Sequence, residues 1–199
     1  MDETAHLWLY FLVVFGIIVL PGLDMAFVVA NSLVGGNGAG FAAVAGIVAG
    51  GACHVVMGAL GIAAVLTLWP AMFNAMLLAG ALYIGWTGWT LLRSSAAFAL
   101  SAPAGGAPGR RSVFVRGMAT CLLNPKAYVF MLAVFPQFLA PGNGPLWVQA
   151  GALGIITAFT QAAVYGTVAL LAVRVSRWLD GNPDARVNAD AEGRLLEEV

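Results

Sequence analysis

Leu20-Pro21-Gly22-Leu23-Asp24 and Leu123-Asn124-Pro125-Lys126 each place a proline and an ionisable side chain inside a long apolar run. The first run extends from Leu7 to Ala30 and the second from Gly117 to Leu139. Both exceed the roughly 18 residues that read as a membrane-spanning helix. A proline inside a helix withdraws a backbone N–H, clashes with the preceding turn and drives the residue before it out of helical conformation. Hydrocarbon offers no water to the carbonyls freed in this way. A helix broken at membrane depth must therefore turn its break toward protein or a wet cavity, and both breaks are expected to face inward.

Three further runs of the same kind, Phe41 to Leu68, Ala71 to Leu92 and Leu146 to Val173, bring the expected membrane helices to five. The composition agrees, with 61% hydrophobic residues and 9% Asp, Glu, Lys and Arg in 199 residues, against roughly a quarter charged in a soluble domain. A water-soluble surface cannot be covered with so few charges, so the solvent for most of the chain is a lipid bilayer. The formal charge of +0 supplies no field to attract nucleic acid. The fold class is thus all-α and polytopic. It has a membrane domain over 1–173, made of a front half 1–92, a linker 93–116 and a back half 117–173, followed by a charged tail over 174–199. Short turn-rich connections at Gly35 to Gly40, Trp69-Pro70 and Pro141 to Pro145 make successive helices antiparallel neighbours. The first run is not expected to be a cleaved signal, because its leader is acidic where a signal peptide is basic.

Outside the runs, the basic residues are Arg93, Arg110, Arg111, Arg116, Arg174, Arg177, Arg186 and Arg194, all in the linker and tail. The positive-inside rule then places the linker and tail in the cytoplasm and the N-terminus outside, at an inner or plasma membrane. Trp8, Trp69 and Trp147 would mark one interface and Trp86, Trp89 and Trp178 the other, as an anchor belt. Gly46-x-x-x-Gly50 reads as close helix packing within the protomer.

Asp24, His54 and Lys126 are the ionisable residues inside the runs, and such groups in hydrocarbon need a reason. Asn124-Pro125 reads as a helix start, with Asn as N-cap and Pro at the first position. A half-helix beginning there would aim its first-turn N–H groups and positive dipole end at an anionic group in the cavity. Pro21-Gly22 offers the same for the first run. At 1.5 Å per residue, Lys126 lies roughly 15 Å from the basic linker, near the middle of a core about 30 Å thick. Lys126 is read as a cation for a substrate carboxylate, with an ion pair to Asp24 as the structural alternative. Asp24 is read as holding an ammonium group or a proton, with simple complementation of a helix start as its alternative. His54 lines the cavity or relays a proton, or else bonds a neighbouring helix. Asn31, Gln137, Thr157, Thr160, Gln161 and Tyr165 are further polar candidates, or cross-helix bonds worth about 1 kcal/mol. Cys53 and Cys121 show neither a disulfide framework nor metal-ligand spacing. No metal cluster or cofactor motif appears in the runs.

The sequence resembles the LysE/RhtB family of amino-acid exporters. The resemblance is carried by Leu20 to Ser32 with its Gly-rich turn, Gly46 to Gly61 with His54, Gly80 to Gly88, and Leu123 to Lys126 with Pro136-Gln137-Phe138. It implies efflux of amino acids or similar small zwitterions, driven by an ion gradient, through an inverted repeat of three helices each. With the reading of the two breaks, Asp24, Lys126, Asn124, Pro21, Gly22, Pro125 and His54 are the expected substrate-binding and translocation residues, with no enzyme activity. Two departures stand out. Leu23 occupies the place of the second proline of the family's Pro-Gly-Pro. After Trp178 the chain gives Asp180-Gly-Asn-Pro in place of a sixth apolar helix. The second repeat is then expected to be incomplete, leaving five sufficient helices, a homo-oligomer covering the open face, or a truncated non-transporting scaffold. A thiol oxidoreductase using Cys53 and Cys121 is the alternative from another class.

Overall fold

The computed structural model describes residues 3–68, 78, 82, 109–140, 142 and 144–181. The third run apart from Leu78 and Leu82, linker residues 93–108, the tail beyond residue 181 and the tryptophans at 69, 86 and 89 lie outside the described residues. All described elements are helical. They are α1 (Glu3–Val19), α2 (Leu23–Leu68), α3 (Arg110–Leu122), α4 (Pro125–Val129) and α5 (Leu146–Asp180). A π turn (Phe130–Val134) and a 3-10 turn (Phe135–Phe138) extend α4.

The first break falls where Pro21 demands it, between Val19 and Leu23. α2 is two arms in one string, because Gly36 leaves helical geometry at φ 65° and ψ −164°. The left-handed φ suits glycine, which has no Cβ to clash. Across this kink a Cβ on Gly40 would run into Ser32 Oγ. Eight residues of unbroken helix would span about 12 Å, so the chain doubles back at the glycine-rich turn.

Among the described residues two helical stretches are long and apolar enough to cross a membrane, Leu23–Gly61, which contains the Gly36 kink, and Leu146–Trp178, and a third span results if the bent pair Arg110–Leu122 and Pro125–Phe138 counts as one. That pair bends by 49°. α3 starts seven residues before the apolar run that revealed it, and α5 continues past Val173 to Asp180. Hydropathy marks where the lipid ends, and these helices carry on beyond it on their arginines.

Tyr10, Val14 and Ile18 form the buried stripe of α1 at a spacing of four, which puts them on one helix face. α2 and α3 approach closely at small residues. A Cβ on Gly46 would collide with the Phe114 carbonyl, and one on Gly50 would lie 2.7 Å from Cys121 Cβ. The Gly46-x-x-x-Gly50 pattern therefore serves packing inside the protomer. Trp8, Trp147 and Trp178 are exposed near helix ends, where an anchor belt requires them. Gln149 fastens the start of α5 to the preceding turn, exchanging two 2.9 Å hydrogen bonds with the Ala140 backbone.

Candidate functional site

Pro21 carries no N–H, and the carbonyl that this N–H would have served is that of Ile17, four residues earlier. Lys126 replaces it. Its Nζ donates to Ile17 O at 3.2 Å and to Leu20 O at 3.0 Å, so a lysine from the second break closes the end of α1 at the first. Gly22 makes room, since a Cβ there would lie 3.3 Å from the ammonium nitrogen.

The second break repeats the logic. Pro125 withdraws the N–H that would serve Cys121 O, and His54 Nε2 comes within 3.1 Å of that carbonyl. A carbonyl only accepts, so this nitrogen carries the proton. Asn124 N donates to the same oxygen at 3.1 Å. His54 is 2% exposed and stands edge-on to the Tyr128 ring, with centroids 4.8 Å apart. The bond from His54 to a neighbouring helix is thus formed, and it is aimed at the break.

Asn124 is the N-cap expected of it, with its side chain accepting from Lys126 N at 3.0 Å. The first-turn N–H groups, however, are not free to hold an anion. Pro125 has none, Lys126 N is taken by the cap, and Ala127 N and Tyr128 N both turn to Asn124 O. Regular α-helix here lasts only five residues before the π turn. Donors for an anion must instead come from side chains, and the Asn124 amide nitrogen is buried without a hydrogen-bond partner.

Asp24 stands in the first turn of α2, 4% exposed, and its Oδ1 has no partner. Its nearest polar neighbour is the Asn124 side chain, turned toward it but short of a formed hydrogen bond, and Lys126 and His54 act on it through charge. Among the described residues no ion pair joins it to Lys126, whose ammonium is directed at α1. Asp24, His54 and Lys126 line one cavity of about 40 Å³ with Val14, Ile17, Phe130 and Gln161. Holding one water takes roughly 10–15 Å³, so this conformation has room for a few waters and too little for an amino acid. Pro21, Gly22, Asn124 and Pro125 shape the two breaks beside it.

The remaining polar candidates divide. Asn31, Gln137 and Thr160 bond the carbonyl four residues back in their own chain. Thr157, Gln161 and Tyr165 follow at a spacing of four on α5 and line the cavity. Thr157 Oγ1 donates to Leu153 O at 2.9 Å and so accepts from Tyr10 OH at 2.7 Å. Tyr10 escaped the sequence reading, although an aromatic hydroxyl in a membrane run is itself a signal. Cys53 is exposed and Cys121 buried, both as free thiols.

An apolar chain whose described elements are all helical, with two broken helices meeting at a charged internal cavity, belongs to the class of multi-pass membrane transport proteins. The chain matches the LysE type translocator family over residues 14–196, a stretch that includes the charged tail. It belongs to that family. It is 33% identical to a leucine efflux protein of Enterobacter over 136 residues, covering 68% of this chain and 64% of that protein. It is 29% identical to a homoserine/homoserine lactone efflux protein of Salmonella typhimurium over 194 residues, covering 97% and 93%. No solved structure matches significantly.

Proposed function

We propose that this chain exports a neutral amino acid or a close zwitterionic relative, in exchange for protons moving down their gradient. The observation that carries the reading is the pair of unpartnered buried atoms beside Lys126, Asp24 Oδ1 and Asn124 Nδ2. An acceptor of negative charge and an amide donor next to an ammonium complement the two ends of a zwitterion. The substrate ammonium sits on Asp24, and its carboxylate takes Asn124 Nδ2 and Lys126 Nζ. Among the described residues Asp24 is the sole carboxylate on the cavity wall, which suits a neutral side chain, since lysine or arginine would need a second acid. The relatives named for leucine and for homoserine efflux support this class. Access alternates as the front and back halves, arranged as inverted repeats with the linker and tail in the cytoplasm, rock against each other. Asp24 takes the proton on the return.

The test is accumulation of labelled amino acids in everted vesicles, with and without a proton gradient. Gradient-dependent accumulation that Asp24→Asn and Lys126→Ala each abolish, at unchanged levels of inserted protein, is the expected result. Full accumulation in both variants would overturn the site.

A further inference from the structure

Gln161 has no part in holding the fold's breaks or the two charged ends of a zwitterion, yet it sits on the wall of the same cavity. It is 7% exposed, and its Oε1 is buried without a hydrogen-bond partner. A buried acceptor left unpaired costs about 1–3 kcal/mol, and a leucine of similar size would fill the place without that cost. Its position is built. Opposite it stands Gly51, where a Cβ would come within 2.6 Å of Oε1 and 3.1 Å of Nε2. Only the absence of a side chain on α2 leaves room for the amide. Its neighbour one turn earlier cannot do the same work, because the Thr157 hydroxyl is committed to Leu153 O and Tyr10 OH.

We infer that Gln161 reads the substrate's side chain. Its Oε1 accepts a hydrogen bond from a hydroxyl there, which makes short hydroxylated amino acids the preferred cargo over aliphatic ones of the same shape. This rests on the amino-acid export reading, with Asp24 and Lys126 already occupied by the substrate's own charges. Apolar pockets discriminate weakly between isosteres, by about 10–200-fold at most. A site with a dedicated polar partner rejects the analogue that lacks the matching group far more strongly.

The experiment uses two near-isosteric pairs, threonine with valine and homoserine with norvaline, on the wild type and on Gln161→Leu. Binding is read as thermal stabilisation of the purified protein in detergent, and transport is read separately in everted vesicles. The expected result is a preference of at least about tenfold for the hydroxylated member of one pair in the wild type. That preference should fall to near parity in Gln161→Leu, with binding of the aliphatic member retained or improved. Gln161→Asn, which keeps the acceptor on a shorter stem, should retain part of it.

Equal binding of both members by the wild type would overturn the inference. So would an equal loss of both members in Gln161→Leu, which would place Gln161 on the common ammonium group or in packing. Absence of stabilisation by all four compounds would overturn it as well. Hydroxyl-selective binding by a wild type that accumulates no amino acid in energised vesicles would uphold the inference while refuting export.

Discussion

Lys126 and Pro21 are linked by a carbonyl, and a double-mutant cycle measures that link. Lys126→Met keeps the stem and removes the ammonium, stripping Ile17 O and Leu20 O of the donors now 3.2 and 3.0 Å away. In a soluble interior a hydrogen bond to a charged group is worth about 1.5–3 kcal/mol. In membrane proteins measured couplings average about 0.6 and reach about 1.7 kcal/mol. Relief of the ammonium's own desolvation offsets part of the loss, so the single variant alone is a poor reporter. Pro21→Ala restores an N–H at the position that serves Ile17 O in a continuous helix. In that background Lys126→Met costs less, because one of its two carbonyls has another donor. The expected coupling is about 1–1.5 kcal/mol, read from unfolding of the purified protein in mixed micelles for the wild type, both single variants and the double. Additivity within about 0.4 kcal/mol, the behaviour of independent sites, would refute the claim that the lysine stands in for the proline's missing N–H.

Other expectations follow from the same geometry. His54→Phe should destabilise the fold by about 1 kcal/mol through the lost bond to Cys121 O, and His54→Gln, which keeps a donor, should recover part of it in the same unfolding assay. Gly46→Leu should abolish the native α2–α3 contact, because even a Cβ there strikes the Phe114 carbonyl. Gly151→Ala on α5, with nothing within 4 Å, should be neutral or gain up to about 1 kcal/mol in helix propensity; folded yield in detergent separates the two. Asp24→Glu should retain measurable export where Asp24→Asn has none, since the charge survives with a longer reach.

Much of this architecture was legible because it rests on residues with few alternatives. Pro21 and Pro125 can only break a helix interior, Asn124 before Pro125 is a start signal, and Gly36 in a glycine cluster is where the chain can take φ 65°. What was not legible is the partner of each break. Lys126 and His54 bond backbone carbonyls, which have no letter of their own in a sequence, and Lys126 reaches Ile17 across 109 positions. The ion pair with Asp24, the structural alternative for Lys126, matches the opposite charges visible in the sequence, and it is not formed among the described residues. A proline-freed carbonyl is the stronger claim on a partly buried ammonium when the acid lies beyond ion-pair distance. The expected anion site at the Pro125 helix start fails for a related reason. A good N-cap consumes the first N–H itself, and the free donor is the other atom of the same amide. Helix lengths were misjudged at Arg110 and Asp180 because an apolar run reports contact with lipid, whereas a helix needs only satisfied backbone.

The two breaks hold each other. The front half's broken end at Ile17 is closed by Lys126 of the back half, and the back half's freed carbonyl at Cys121 is closed by His54 of the front half. On the alternating-access reading, a motion that parts the halves enough to admit an amino acid to a 40 Å³ cavity pulls these donors from their carbonyls. In hydrocarbon-walled surroundings that step is costly unless something replaces them. Water can reach the exposed carbonyls on the open side. A substrate carboxylate can take the ammonium that has let go of α1, and a substrate ammonium can meet the unpaired Asp24 Oδ1. Without cargo, the same reading returns Lys126 to Ile17 and Leu20 and closes the cavity. On the export reading, the lysine is thus shared between the end of a helix and the cargo. Differential affinity of the substrate for the open form then comes from the same atom that keeps the empty form shut.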